Sequence, residues 1–128
     1  MKATDLMIGD WVNGWDGRWH PIQISAISSY LTNRPSVVAV GGYGYAIEDQ
    51  LQPIPLTDVI LRKNGFEYYH KNYASLSYGH PFGLEMVEWP DINGQGGLWT
   101  VNGIIKIRYV HDLQHVLPLA EIEKRIII

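Results

Sequence analysis

The side chains that could do acid–base or metal chemistry in this sequence are few and widely spaced. His111 and His115 stand four positions apart. That spacing puts two imidazoles on one face of a helix, as metal ligands often are. A third ligand would have to come from His20, His70 or His80. The chain has no cysteine, which excludes thiolate zinc ligands, thiolate nucleophiles and disulfides. The face of His111 and His115 points away from the stripe Leu113, Leu117 and Ala120, so both imidazoles are expected in solvent. They are the only metal candidates and no metal site is assigned to them. The stronger expectation for His111 is a capping or hydrogen-bonding role where the last strand meets the last helix.

His70, His80 and the carboxylates Glu85, Glu88 and Asp91 can be drawn together into an acid–base site on paper. Glu85 and Glu88 differ by an odd number, and in a strand that places them on opposite faces. No serine elbow, H-E-x-x-H pair, P-loop or dinucleotide fingerprint is present in the sequence. Gly41-Gly42-Tyr43-Gly44 does not open a helix, so it lacks the phosphate cradle of glycine-rich loops. The sequence therefore assigns no catalytic residue and no cofactor. A histidine-dependent hydrolase or metal-binding protein stays as the last alternative.

Aromatic residues carry the other candidate chemistry. Trp11, Trp15 and Trp19 recur every fourth position through a hairpin pattern. Trp11 and Trp19 read as core or cross-strand partners. Trp15, between the turn dipeptides Asn13-Gly14 and Asp16-Gly17, reads as exposed. Tyr43 and Tyr45 sit in a glycine-rich turn, and Tyr68, Tyr69, Tyr73 and Tyr78 line the middle strands. Trp15, Tyr43, Tyr45 and Tyr69 are the residues expected to form a binding surface. Tyrosine and tryptophan at such surfaces favour protein, peptide or sugar ligands.

The elements that position these residues follow from punctuation and period. Thr57 is a good N-cap and Asp58 complements the helix dipole. Leu56 and Leu61 have staple spacing, and Gly65 is a left-handed stop. A helix over about 58–64 is predicted, preceded by an extended Pro53–Pro55 hinge. Before it, strands are predicted from Leu6, over 18–27, over 36–40 and over 46–52. After it come strands over 66–70 and 73–78 around Lys71-Asn72, and a strand over 82–89. A hairpin around Asn102-Gly103 follows. Val110, Leu113, Val116, Leu117 and Ala120 then fall on one helical stripe, which Pro118 should end or kink. The apolar ending Arg125-Ile126-Ile127-Ile128 fits a packed strand, a subunit contact or a loose end.

Composition bounds the class. At 128 residues the chain is about one domain, and 46% hydrophobic residues can fill a core. The net charge of −3 lacks the basic excess of a phosphate-backbone binder. Arg18, Arg34, Arg62, Lys63, Lys71, Lys106 and Arg108 are scattered rather than striped. No apolar run approaches the roughly 20 residues of a membrane helix, and residues 1–10 do not read as a signal segment. A cytoplasmic location is the expectation, with no membrane partner.

Two segments carry a family resemblance. Pro53-Ile54-Pro55-Leu56-Thr57, running into a helix that ends at Gly65-Phe66, is one. Arg108-Tyr109-Val110-His111-Asp112-Leu113-Gln114 is the other. Together they resemble a family of small Bacteroidetes proteins of unknown activity, often in prophage or mobile-element neighbourhoods. Its members typically begin a helix with P-I-P-L-T and carry a C-terminal Y-V-H-x-L-Q-N-L helix. The match covers about a quarter of the chain, and the order of elements agrees. It departs at His115, where the family commonly has Asn, and at Pro118. The resemblance implies a fold and an origin and brings no catalytic residue.

The reading is an α+β domain over 1–128, mainly antiparallel β. It has an SH3-like or barrel-like sheet over 1–52, a hinge and short helix over 53–65, and a β-meander with a C-terminal helix over 66–128. The expected function is a non-enzymatic interaction module that binds a protein partner, or a second copy of itself, through the Tyr/Trp surface. The alternative from another class is a nucleic-acid accessory protein that stacks bases on aromatics, a role the acidic charge balance opposes.

Overall fold

The computed structural model describes residues 1–28, 34–76, 83–89 and 97–128. The architecture is α+β and mainly antiparallel, in two five-stranded sheets with a few short helices. The chain packs as two compact units, Met1–Ile54 and Pro55–Ile128.

In the first unit a 3₁₀ turn at Ala3–Asp5 precedes β1 (Trp11–Trp15) and β2 (Trp19–Ser28). The first strand starts later than its apolar residues suggest. Asp10, buried, turns its carboxylate back onto the Met7 amide at 2.8 Å, and Gly9 takes a left-handed φ of 96°, so Met7–Asp10 is a tight turn. β3 (Ser36–Ala39) and β4 (Gly44–Ala46) follow, then α1 (Ile47–Gln50) and β5 (Leu51–Pro53). The expected strand over 46–52 is thus half helix. Gln50 reaches back to accept the Ala46 amide at 2.8 Å, and Glu48 and Asp49 lie in the favourable first turn.

The sheet order is β4-β3-β2-β1-β5. Alternation along β2 is as the sequence implies, with Ile22 and Ile24 buried. The strand is shared between two ladders: Trp19–Gln23 pair with β1, and Ile24–Ser28 pair with β3, with a register shift between Ile24 and Ala26. Such a bulge bends a strand. The expected barrel does not close, because β4 and β5 stay as opposite edges and α1 interrupts the chain between them. The core of this unit is Leu6, Val12, Ile22, Ile24, Val37, Ala39, Tyr45, Ile47 and Leu51.

The second unit begins with α2 (Asp58–Lys63). The Thr57 hydroxyl accepts the Ile60 amide at 3.3 Å, and Leu56 and Leu61 are both buried. At the other end the Phe66 amide donates to Leu61 O and the Gly65 amide to Arg62 O, with Gly65 at φ 87°. This is the Schellman arrangement, and Leu61 and Phe66 are its buried apolar pair. The strands β6 (Glu67–His70), β7 (Tyr73–Leu76), β8 (Leu84–Trp89), β9 (Leu98–Val101) and β10 (Ile105–Ile107) form a meander in order β10-β9-β8-β7-β6. Ser77, Tyr78 and Phe82, expected in these strands, lie outside the described residues, as do Asn93 and Gly94.

The last helix, α3 (Val110–Leu119), has Asp112 accepting the Arg108 and Tyr109 amides at 3.1 and 3.0 Å. Val110, Leu113, Val116 and Leu117 are buried along its stripe. Pro118 neither ends the helix at Leu117 nor splits it, because it stands in the final turn, where only one further helical residue follows. Beyond α3, Glu121 completes a turn and the segment 122–128 joins no ladder. Ile122 and Ile126 are buried while Glu121, Glu123, Arg125 and Ile127 face solvent.

Candidate functional site

The β1–β2 hairpin holds an aromatic pair at its tip. Asp16-Gly17-Arg18 turns the chain, with Gly17 at φ 100°, and Trp15 is cross-strand partner to Trp19. The two indoles lie 5.3 Å apart, tilted by 58°, and both are exposed. A tilted pair at that separation has favourable quadrupole geometry and still offers its outer faces to a ligand. His20, on the neighbouring position of β2, has Nδ1 3.4 Å from the Asp16 carboxylate.

Tyr43 and Tyr45 part company. Tyr43, in the β3–β4 turn, is 73% exposed, whereas Tyr45 is 4% exposed and belongs to the core. The expectation that Tyr45 lines the surface is corrected by strand alternation: opposite Val37 in β4, it points inward. Its ring sits on Gly14, where an added Cβ would come within 2.9 Å of the ring, and edge-on to His20 at 6.4 Å. Burial pushes the Tyr45 hydroxyl pKa up, with the Asp16 charge adding to it. Tyr43 and Trp15 do not adjoin either. Trp19 starts β2, and Ala39, beside the Tyr43 turn, pairs with Ile24. Five residues of strand separate those positions, about 16 Å.

Tyr69 belongs to the second unit, on the outer face of its sheet. Pairing sorts the residues of that sheet. Ala74 with Met86, Leu76 with Leu84, and Met86 with Val101 form the buried inner face. Tyr73 with Val87, Val87 with Thr100, and Trp89 with Leu98 form the other face. Tyr69 packs on Tyr73 with ring centroids 5.9 Å apart. The Trp89 indole N–H donates to the Thr100 hydroxyl, which ties the ring of β8 to β9. Tyr69 and Trp89 are 62% and 53% exposed, and Tyr73, Val87 and Leu98 are half-buried between them. A hydrogen bond to Glu85, together with partial burial, raises the Tyr73 hydroxyl pKa.

The sequence names Tyr69 and misses the rest of this face. The alternation Glu85-x-Val87-x-Trp89, out of phase with Leu84-x-Met86, is its visible signal. Which strand brings Tyr73 and Leu98 alongside is a matter of register, which that alternation does not contain.

Behind the sheet face, Tyr68 points inward and its ring lies 4.1 Å under the Arg62 guanidinium. Burial pushes its hydroxyl pKa up to about 12, with Asp58 and Glu88 adding to the rise.

The histidines do not make a solvent-facing pair. His111 is 3% exposed, so its expected solvent position is wrong. Its ring stacks on Tyr109 at 5.7 Å, meets His115 edge-on at 5.8 Å, and has Nε2 3.7 Å from the Asp112 carboxylate. The physical reason is position: at the start of α3, beside the buried Val110, it packs as an aromatic rather than standing as a ligand. Among the described residues no group of three His, Asp or Glu side chains has metal-binding spacing. Of the paper acid–base set, Glu85 and Glu88 take opposite faces of β8, and His70 ends β6 exposed. His80 and Asp91 lie outside the described residues.

No family model, no curated protein and no solved structure matches the chain. No helix among the described residues is long and apolar enough to cross a membrane.

Proposed function

We propose that the protein is a non-enzymatic, cytoplasmic interaction module that binds a protein partner through the outer face of the β6–β10 sheet. The supporting observation is the continuous run Tyr69, Tyr73, Val87, Trp89 and Leu98 on one face. Large aromatic rings held by their neighbours present contact area at low entropic cost and are enriched in interface hot spots. Glu67 and Glu85 flank the run and Lys106 lies at its far side, so the charge on this face opposes a phosphate backbone more than it attracts one. That favours a protein ligand over a nucleic acid.

The first unit carries a second exposed aromatic pair at the tip of its hairpin. Its Trp15–Trp19 tip is then an accessory contact, smaller than the sheet face.

The test is quantitative capture from host extract with the wild type and with the double variant Tyr69→Ser, Trp89→Ser, both shown folded by circular dichroism. A partner retained by the wild type and reduced at least ten-fold by the variant supports the sheet face, since hot-spot truncations cost about 2 kcal/mol or more. Equal retention overturns it. Light scattering on the same two proteins reads self-association separately.

A further inference from the structure

Row by row, the outer face of the β6–β10 sheet is not uniformly aromatic. Glu67 pairs with Ser75, and Ser75 with Glu85, so one row reads carboxylate, hydroxyl, carboxylate across β6, β7 and β8. Alternation puts this row on the same face as Tyr73 and Val87, which pair in the next one. Glu67 and Glu85 are exposed, and among the described residues neither has a cationic partner. Two strand spacings, about 10 Å, separate their backbones. Ser75 lies between them, 7% exposed, and its hydroxyl meets no hydrogen-bond partner among the described residues. Buried hydroxyls are seldom left so. The Tyr73 hydroxyl hydrogen-bonds Glu85, which ties the carboxylate row to the aromatic one, and Tyr69 packs on Tyr73. Lys106, paired with Thr100, stands at the opposite edge of the sheet. Along these rows negative charge gathers at β6–β8 and positive charge stands at β10.

The chain itself shows what such a row accepts. In the first unit the Arg34 guanidinium lies 3.4 Å from the Glu48 carboxylate and 2.8 Å from that of Asp49. In the second, the Arg62 guanidinium lies 4.1 Å from the centre of the Tyr68 ring. A planar guanidinium can fork between carboxylates and stack on a phenol at once, whereas an ammonium is a point charge.

We propose that the Glu67–Ser75–Glu85 row is a site for an arginine side chain of the protein partner. Its guanidinium donates to both carboxylates and to the Ser75 hydroxyl, and its flank lies against Tyr69 and Tyr73. The assignment rests on the sheet face being the contact surface, as proposed above. Charge complementarity then selects which partner segments that face accepts.

The test is calorimetric titration of the full chain with acetyl-Gly-Ser-Leu-Arg-Leu-Ser-Gly-amide, and with the same peptide carrying citrulline or Glu in place of Arg. Citrulline keeps the shape of arginine and loses its charge. The Arg peptide is expected to bind about ten-fold or more tighter than the citrulline peptide, and the Glu peptide weakest. The double variant Glu67→Gln, Glu85→Gln, shown folded by circular dichroism, is expected to abolish the difference between Arg and citrulline. The reversal Glu67→Lys, Glu85→Lys is expected to prefer the Glu peptide. Tyr69→Ser with Trp89→Ser is expected to weaken Arg and citrulline peptides alike. Equal affinities of the Arg and citrulline peptides overturn the proposal, and their shared loss in the Tyr69→Ser, Trp89→Ser chain then leaves the sheet face standing as a contact surface. An Arg preference that the Gln variant retains overturns it as well. So does an Arg peptide that does not bind, in which case the sheet face is judged by the capture experiment alone.

Discussion

The ends of α2 and α3 are the same structure written in two different sequences. Each closes with a Schellman pair of hydrogen bonds: Phe66 to Leu61 and Gly65 to Arg62 in one, Ile122 to Leu117 and Glu121 to Pro118 in the other. Each has a buried apolar couple across the turn, Leu61 with Phe66 and Leu117 with Ile122. At the left-handed position α2 has glycine at φ 87° and α3 has glutamate at φ 58°. The first end is therefore satisfied locally. The second holds a residue that resists the conformation, three positions after a proline that removes a donor. Burial of Leu117, Ile122 and Ile126 outweighs that local cost. A helix can thus stop where its own residues ask it to, or where the following chain finds a place to pack.

The largest test of this comparison is to remove the apolar half of each end. Leu61→Ala and Leu117→Ala each empty a fully buried position and are expected to cost about 2–5 kcal/mol in chemical denaturation. If packing alone holds the α3 end, Leu117→Ala also releases the segment beyond it, seen as loss of hydrogen-exchange protection at the Ile127 amide. Leu61→Ala with that amide equally unprotected would break the distinction between the two ends.

The next tests exchange the left-handed residues. Gly65→Ala puts a Cβ into a left-handed backbone and is expected to cost about 1–2 kcal/mol. Glu121→Gly relieves the same strain, partly offset by the greater freedom of glycine in the unfolded chain, for a net gain of about 0.5 kcal/mol. Opposite signs at the two positions, read as shifts of denaturation midpoint, sharpen the comparison. Equal signs would show that Glu121 has contacts worth more than its strain.

The smallest effect separates the helix ends from a pH-dependent background. Desolvation first, and the Asp58 charge second, hold the Glu88 carboxyl above its usual pKa. A carboxyl whose folded pKa is raised favours the folded state while protonated, and that contribution is lost as pH rises through the folded pKa. Glu88→Gln is expected to match the wild type near pH 4 and to be slightly the more stable at pH 7, by thermal melting at both values. Identical differences at the two pH values would remove Glu88 from the account.

Much of this molecule is written locally. Thr57, Leu56, Leu61 and Gly65 predict α2 because a cap, a staple and a left-handed stop act within one turn of the helix. Asn102-Gly103 predicts its hairpin because both residues accept the positive φ they show, 50° and 74°. Trp15 is identified as exposed by turn grammar, whereas Tyr69 is named for its residue type and its place in the middle strands. Odd spacing already sets Glu85 and Glu88 on opposite faces, and strand pairing places them so, whereas His111, expected in solvent, is turned inward by helix packing.

By itself the sequence determined that the fold is α+β and antiparallel, where α2 starts and stops, and which turns are tight, because these depend on dihedral preferences and hydrogen bonds a few residues apart. Only the tertiary structure decided that the first sheet stays open, that Tyr45 turns inward onto Gly14, and that Tyr69, Tyr73 and Trp89 share one face. The same holds for the hold of Asn64 on Ile127, 63 positions away. Strand register and long-range packing set those outcomes, and both are won by burying apolar surface between segments that carry no mark of each other in the chain.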